Sequence, residues 1–344
     1  CDKGLPDTGI TEPTAGNYSS IPNIKGTSSD PGAWSNIVRV ELQISYLDGG
    51  VTYYWDEVAG STTTTPTWFS QNVNAVDLAF DEPSEDWSFN SAGVWWQNQK
   101  EHTIKARAID SAGNTGSPSE VVVTYDLDVP DSDISSPSDG AIGNSKPAIQ
   151  GTATDTQGVG YVKVRIRKGS QYWDGSSWGA EVWLDGATGS WGNPSVNWSF
   201  TIPGNPFVEN TTYYFTSKST DTAGNTETNL VERAFIYDTV KPTATITVPL
   251  DNDYKNWTFK NVTGTSFDTN GVQKVEVVFK KLTDYWDGTQ WLTDTLNWVT
   301  VSSTNNYQNW SSSASWVDGK YHRIWLRVTD IAGNKTVYNT EDAI

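Results

Sequence analysis

The sequence is poor in sulfur and in long apolar runs. Its 344 residues contain no methionine and a single cysteine, at position 1. A disulfide within the chain is therefore excluded, and each folded unit must be stable through its own hydrophobic core. No segment approaches the roughly 20 consecutive apolar residues that a membrane-spanning helix requires.

Basic residues are also scarce. The chain has 23 lysines and arginines against 41 aspartates and glutamates, which gives a formal net charge of −18. Such a surface disfavours binding to nucleic acid or to an anionic membrane, because both carry the same sign of charge. The same carboxylates are suitable ligands for divalent cations.

One pentapeptide occurs three times. Asp110-Ser-Ala-Gly-Asn114 returns 111 residues later as Asp221-Thr-Ala-Gly-Asn225, and 109 residues after that as Asp330-Ile-Ala-Gly-Asn334. A period near 110 residues fits one small domain per repeat. The sequence thus predicts three domains at 1–128, 129–240 and 241–344, with residues 1–5 as an N-terminal junction or anchor.

The pattern within the repeats is that of β-strands. Val162, Val164 and Ile166 alternate with basic residues, which gives a period of two and one buried face. No segment has a convincing 3.6-residue period, so helix is expected to be minor. About seven short strands per repeat, with turn signals about every 8–12 residues, favour an all-β sandwich.

Three features together resemble the bacterial immunoglobulin-like (Big-type) domains of large surface proteins. They are the Gly-Thr-x-x-Asp strand end, the Asp-x-Ala-Gly-Asn hairpin, and the Tyr-Asp…Pro junctions at 125–130 and 237–242. The resemblance implies three tandem immunoglobulin-like β-sandwiches in an extended array. Domains of this kind serve as stalks, adhesins, layer or filament subunits, and spacers in enzymes, so the resemblance leaves the function open.

In such a sandwich the loops after the second and sixth strands lie at one end, beside the linker from the preceding domain. Aspartates of the linkers and of these loops would then approach one another and bind calcium, which takes about six to eight oxygen ligands. The alternative is that each aspartate only caps its own turn. The predicted metal ligands are Asp126, Asp128, Asp155, Asp221, Asp238, Asp268 and Asp330.

Eighteen tryptophans provide a second kind of candidate site. Exposed tryptophans on hairpins can stack on sugar rings, so a glycan is a possible partner. The ligand-binding candidates are Trp173, Trp178, Trp286 and Trp291. The alternative is packing within the sandwich, which the regular recurrence of Trp87, Trp198 and Trp310 favours.

His102, Tyr213 and His322 occupy the same place in the three repeats, eight residues before the repeated aspartate. Because the two histidines fall in different domains, a paired catalytic role is not expected. An aromatic side chain at this place is typical of a tyrosine corner, in which the ring bonds to nearby backbone.

Cys1 has two interpretations. It is either the lipid-modified first residue of a mature bacterial lipoprotein, which would tether the chain to a membrane, or part of a junction between repeats. The sequence does not decide between them.

The sequence contains no nucleophile elbow, no phosphate-binding loop and no zinc-ligand spacing. Carboxylate pairs are abundant, but an active site should break the repeat symmetry in one domain, and no clustered break is found. We therefore expect a non-enzymatic, extracellular structural protein: a cell-surface stalk, adhesin segment, or subunit of a filament or layer. Its expected partners are other copies of itself or other surface proteins. The alternatives are a carbohydrate-binding protein and an accessory region of a secreted hydrolase.

Overall fold

The computed structural model describes residues 3–30, 35–256 and 258–338. These residues form three β-sandwiches in tandem, without an α-helix in the described ranges. The first domain comprises β1 (Asp7–Glu12), β2 (Gly16–Tyr18), β3 (Asn23–Ser29), β4 (Ile37–Asp48), β5 (Val51–Asp56), β6 (Ser61–Thr63), β7 (Val73–Ala75), β8 (Ser84–Asn90), a 3-10 helix (Ser91–Gly93), β9 (Lys100–Asp110) and β10 (Ser119–Tyr125).

The second domain repeats the order of strands, and the third follows it with differences among its shorter strands. The second comprises β11 (Asp131–Ser136), β12 (Ala141–Gly143), β13 (Ile149–Thr154), β14 (Val159–Lys168), β15 (Gln171–Trp173), β16 (Trp178–Gly179), β17 (Thr188–Gly189), β18 (Ser195–Phe200), β19 (Thr211–Asp221) and β20 (Glu232–Tyr237). The third comprises β21 (Thr243–Val248), β22 (Asn261–Phe267), β23 (Val272–Lys281), β24 (Asp284–Trp286), β25 (Trp291–Thr293), β26 (Val299–Thr300), β27 (Ser302–Ser303), β28 (Asn309–Ser313), β29 (Arg323–Asp330) and β30 (Lys335–Tyr338).

Each sandwich packs a four-stranded sheet against a larger one. In the first domain the sheet orders are β1-β3-β8-β7 and β2-β10-β9-β4-β5-β6, and the second domain has the equivalent orders. The third domain has β21-β22-β28-β27 against β25-β24-β23-β29-β30. The predicted all-β tandem sandwich is confirmed, with more and shorter strands per domain than the expected seven.

A tryptophan and a glycine form the centre of each core. Trp87, on β8, is 1% exposed and lies against Gly26 of β3. A Cβ atom on Gly26 would lie 2.2 Å from the indole ring, so no larger residue fits there. The pairs Trp198–Gly151 and Trp310–Gly264 repeat this packing. The interpretation of Trp87, Trp198 and Trp310 as core residues is therefore confirmed, and the contact explains why glycine recurs with them.

The aromatic corner is also present. The hydroxyl of Tyr213 accepts a hydrogen bond from the backbone N–H of Val208 at 2.6 Å and donates one to the backbone carbonyl of Pro206. His102 Nε2 accepts from the N–H of Gln97 at 3.1 Å, at the same separation of five residues. His322 Nε2 is 3.4 Å from the Val317 nitrogen. Imidazole and phenol thus replace each other as acceptors for one backbone N–H.

Two local predictions are wrong. The Asp-Gly signal predicts a two-residue hairpin, but Trp173 pairs with Trp178 across a four-residue loop. Asp174 enlarges this loop because its carboxylate accepts the N–H groups of Ser176 and Ser177, both at 2.7 Å. The threonine-rich stretch of the first repeat is predicted as loop, yet Ser61–Thr63 forms strand β6 against β5.

Within the described residues, which end at Tyr338, the last strand of the third domain is shorter than its counterparts. β30 pairs with β29 over four residues, whereas β10 pairs with β9 over seven. In the first two domains a short parallel strand, β2 or β12, covers the outer edge of the last strand. Within the described residues of the third domain β30 has no such neighbour.

Candidate metal centres at the domain junctions

Three carboxylates meet at the junction of the first and second domains. Asp126 directly follows β10, Asp155 directly follows β13, and Asp221 is the last residue of β19. One carboxylate oxygen from each lies within 4.8 Å of the other two. The first belongs to the linker and the others to the second domain, so the cluster spans the junction. We call it the first aspartate cluster.

The fold brings these residues together because strand ends converge at one end of a sandwich. Asp155 and Asp221 also close their own turns. Asp155 Oδ1 accepts the N–H groups of Gln157 and Gly158, and Asp221 is held by both nitrogens of Asn225. The two interpretations from the sequence are therefore compatible, since each loop aspartate caps a turn and still faces the cluster.

Asp126 is the least exposed of the three aspartates and is completely buried. Its Oδ1 accepts hydrogen bonds from Gln99 Nε2 at 2.5 Å and from the Asp128 N–H at 3.0 Å. Its Oδ2 is buried and has no hydrogen-bond partner in the described part of the chain. A buried carboxylate oxygen without a donor is rare in folded proteins and calls for an explanation, such as an ion, a water molecule or protonation of the carboxyl group.

Two carboxylates of the first aspartate cluster have raised pKa values, and the charges of the cluster repel one another. The pKa of Asp126 is raised to about 6, mainly by burial and in smaller part by the charges of Asp155, Asp221 and Asp128. Burial is also the largest cause of the raised pKa of Asp155. Two unit charges 4.8 Å apart repel by about 3 kcal/mol at an effective dielectric constant of 20. A cation between the carboxylates would convert this repulsion into attraction.

Asp128, also predicted as a ligand, lies outside the cluster. Its two carboxylate oxygens accept hydrogen bonds from Asn98 and Gln99 of the first domain, at 2.8 and 3.0 Å. It lines a cleft of about 460 Å³ together with Asp131 and Asp155. The cleft gives the first aspartate cluster an acidic approach from solvent.

The second aspartate cluster repeats the first at the next junction. Asp238 follows β20, Asp268 follows β22, and Asp330 ends β29, with one oxygen of each again within 4.8 Å of the others. Burial raises the pKa of Asp238 and of Asp268. Here Asp238 Oδ2 accepts a hydrogen bond from Asn270 Nδ2 at 3.0 Å. Six of the seven predicted ligands therefore fall into two equivalent clusters.

Sequence reasoning missed the asparagine that ends the repeated motif. Asn225 Nδ2 donates to the backbone carbonyl of Asp126 at 2.9 Å, and Asn334 Nδ2 donates to that of Asp238 at the same distance. The motif thus ties each linker to the following domain. Its strict recurrence after Asp-x-Ala-Gly was the available signal, since a turn alone does not require asparagine at that position.

In the first domain, Asp30 and Asp110 occupy the matching strand ends and are both buried. The matching linker residue and Cys1, the predicted lipidation site, lie outside the described residues.

The four candidate tryptophans lie in or against the cores. Trp173 and Trp286 are buried, at 5% and 6% exposure. Trp178 packs on Trp173 with ring centroids 5.4 Å apart, and Trp291 packs on Trp286 at 5.6 Å. This geometry favours packing over stacking on a sugar. Ligand binding by these residues stays a prediction.

No family model and no curated protein matches this chain. Similar solved structures include the fibronectin(III)-like modules of CbhA from Clostridium thermocellum, at 15% identity and a TM-score of 0.30, over 67% of this chain and 94% of that one. A bacterial ice-binding adhesin is similar at 13% identity and a TM-score of 0.33, over 98% and 96% of the two chains. The tandem repeats of the extending region of a large adhesion protein match at 13% identity and 0.27, over 97% and 72%.

These structures are tandem fibronectin-like or adhesin modules, and the resemblance to Big-type domains is not confirmed by them. At these scores the similarity carries no argument about function. The fold rests on the strand pairing itself. None of the described residues belongs to a helix long and apolar enough to cross a membrane.

Proposed function

We propose that this chain is a non-enzymatic, extracellular spacer whose domains are fixed to one another by divalent cations, with calcium as the expected ion. It would form a stalk, an adhesin segment or part of a surface assembly. The observation that carries the proposal is the first aspartate cluster, where a linker carboxylate with an unpaired buried oxygen meets two carboxylates of the next domain.

The ligand chemistry favours a hard cation. All three side chains offer carboxylate oxygens, which calcium and magnesium prefer over transition metals. Asp126, Asp155 and Asp221 would be the protein ligands at the first junction, and Asp238, Asp268 and Asp330 at the second. Calcium suits a site assembled from two domains because it accepts more ligands and less regular geometry than magnesium does.

A cation at each junction would fix the angle between neighbouring domains. The linker is short, because Asp126 is followed by only four residues before β11 begins. A ligand that binds the assembled junction and not the separated domains stabilises the assembled state, by a free energy that grows with the logarithm of the ligand concentration above its Kd. The physical result is a chain that keeps its length when the cation is present.

The experiment is a calcium titration of the full chain by calorimetry, with small-angle X-ray scattering in calcium and in EDTA. We expect binding near two sites per chain and a narrower distribution of interdomain distances in calcium. Asp126→Asn should abolish one site, whereas Asp185→Asn, on the surface of the second domain, should leave both. The proposal fails if calcium produces no heat and no change in scattering.

A further inference from the structure

The first domain departs from the other two beside its β5–β6 hairpin. A cleft of about 660 Å³ opens there. Trp55 and Glu57 of the hairpin form one wall, and the opposite wall includes Asn72, Asn74 and Asn90, which flank or belong to β7 and β8. This volume is within the usual range for small-molecule sites.

Two polar atoms of the hairpin wall are buried without a partner. Trp55 is 6% exposed, and its indole Nε1 has no acceptor within the described ranges. Glu57 Oε1 accepts a hydrogen bond from Asn72 Nδ2 at 2.9 Å, while its Oε2 is buried without a donor. Each unpaired group destabilises the empty site. Both atoms are covered in this structure, and a rotation of the Glu57 side chain would bring its carboxylate to a ligand hydroxyl in the cleft.

The equivalent tryptophan of the second domain has a hydrogen-bond acceptor. There Trp173 Nε1 donates to the carbonyl of Pro203 at 2.9 Å, and Gly204 lies against the indole ring. The corresponding segment of the first domain is the 3-10 helix Ser91–Gly93, whose Ala92 and Gly93 line the cleft. This segment does not provide an acceptor for Trp55.

The third domain has the unpaired indole of the first domain but not its carboxylate. Trp286 Nε1 is also unpaired there. However, Gly288 stands two residues after that tryptophan, where the first domain has Glu57. The combination of an indole donor and a carboxylate acceptor at the hairpin is therefore specific to the first domain.

The remaining lining is neutral and rich in amides. Asn23 pairs in register with Asn90, and Asn74 with Ser88, so these side chains share the outer face of the four-stranded sheet. Among the described residues that line the cleft there is no lysine or arginine, and Glu57 is the single acidic one. Amides both donate and accept hydrogen bonds, which suits hydroxyl groups, whereas a carboxylate without a basic neighbour repels anions.

We propose that this cleft binds a neutral, hydroxyl-rich ligand, namely one or two sugar rings of a glycan. The Glu57 carboxylate accepts a hydrogen bond from one ligand hydroxyl, and the asparagines hydrogen-bond to neighbouring hydroxyls. This site is independent of the proposed cation sites and gives the first domain a recognition role that its two neighbours lack.

The test is a binding screen of the full chain by ligand-observed NMR with neutral monosaccharides and disaccharides, followed by calorimetry. EDTA is present throughout, so that any binding is independent of the junction cations. At least one neutral sugar should bind with a Kd of about 1 mM or tighter. Glu57→Gln and Asn74→Ala should each weaken that binding by about tenfold or more, because each removes a hydrogen bond to the ligand.

The matched control is Asn197→Ala, which removes an exposed asparagine from the outer face of β18 in the second domain. It should leave the affinity unchanged. Circular dichroism and the melting midpoint confirm that each variant is folded. The proposal is overturned if no neutral sugar of the panel binds, if only acidic sugars bind, or if both cleft variants bind as the parent chain does.

Discussion

The two domain junctions have the same aspartate cluster but different support around it. At the first junction Asn17 Nδ2 donates to Gln157 O and Thr222 Oγ1, at 3.1 and 2.7 Å, and the N–H and hydroxyl of Ser19 donate to Ala223 O. Side chains and backbone of the two domains thus meet directly at several points, independently of the aspartates.

A glutamine pair adds a further link at the first junction. Gln157 Nε2 donates to Gln99 Oε1 at 2.8 Å, and Gln99 in turn donates to Asp126. At the second junction the described residues provide a smaller set: Asn270 donates to Asp238 and, at 3.4 Å, to Asn210. The comparison teaches that the same motif occurs in a junction with many direct contacts between its domains and in one with fewer.

Removal of the cation should have the largest effect and should separate the two junctions. With calcium at about 1,000 times its Kd, the stabilisation of a site is about 4 kcal/mol, which EDTA would remove. In a Cys1→Ser background, pairs of spin labels on the flanking domains report the distance across each junction. EDTA should broaden the distance distribution more at the second junction than at the first.

The matched variants for that measurement are Asp155→Asn and Asp268→Asn. Each disables one cluster and leaves the other as its internal control. Equal broadening at both junctions in EDTA would show that the additional hydrogen bonds of the first junction do not stiffen it.

Acid should weaken the first domain but not the second, because their corners differ. His102 contacts the rings of Tyr46 and Trp96, and burial lowers its pKa to about 4, against the ordinary value of 6.5. The unfolded chain therefore binds a proton that the folded domain does not. Stability is full above pH 6.5 and declines as the pH falls towards 4, by about 3 kcal/mol at most.

The corner is relevant to the junction because it holds the segment that presents Gln99. His102 Nε2 accepts the N–H of Gln97, and its Nδ1 lies 3.1 Å from the carbonyl of Lys100.

Thermal unfolding of the parent chain and of His102→Tyr between pH 4 and pH 7 isolates the contribution of His102 to the pH dependence of stability. The variant carries tyrosine, as the second domain does at Tyr213, so the stability of its first domain should no longer fall between pH 6.5 and pH 4. If the variant lost stability over this range as the parent chain does, the acid sensitivity would belong to other groups.

Loss of the linker-binding asparagine should have a smaller effect that is unequal between the junctions. Asn225→Ala and Asn334→Ala each remove the side-chain hydrogen bond to the carbonyl of the linker aspartate and the side-chain hydrogen bond to the repeated aspartate, so we expect a loss of about 1–2 kcal/mol. Interdomain motion should increase more in Asn334→Ala, because Asn334 also donates to the carbonyl of Val240 at 3.2 Å. Hydrogen exchange of the linker amides measures both variants on one scale.

Asn17→Ala should have the smallest effect and should make the first junction resemble the second. It removes two hydrogen bonds between domains at a half-exposed site, which corresponds to about 1 kcal/mol. The expected result is that the first junction becomes more sensitive to EDTA in the spin-label measurement, without a change in the melting of the individual domains. Unchanged EDTA sensitivity would rule out Asn17 as a support of this junction.

Much of the candidate site was accessible from the sequence, because position in a repeat determines position in a sandwich. Asp155 and Asp221 were placed at one end of a domain by their strand ends, and Asp126 by its place before the linker proline. Asp128, only two residues further on, could not be separated from Asp126 in this way. Its partners Asn98 and Gln99 come from a loop whose course depends on the fold.

The sequence by itself determined the number of domains, the β-sandwich, the core tryptophans and the corner aromatics. These follow from local alternation and from a motif repeated three times, both of which are visible without a fold. Only the tertiary structure decided which carboxylates meet, which of their oxygens is left unpaired, and how the hairpin of the first domain opens into a cleft. Those properties depend on distances between residues far apart in the chain, which no periodicity encodes.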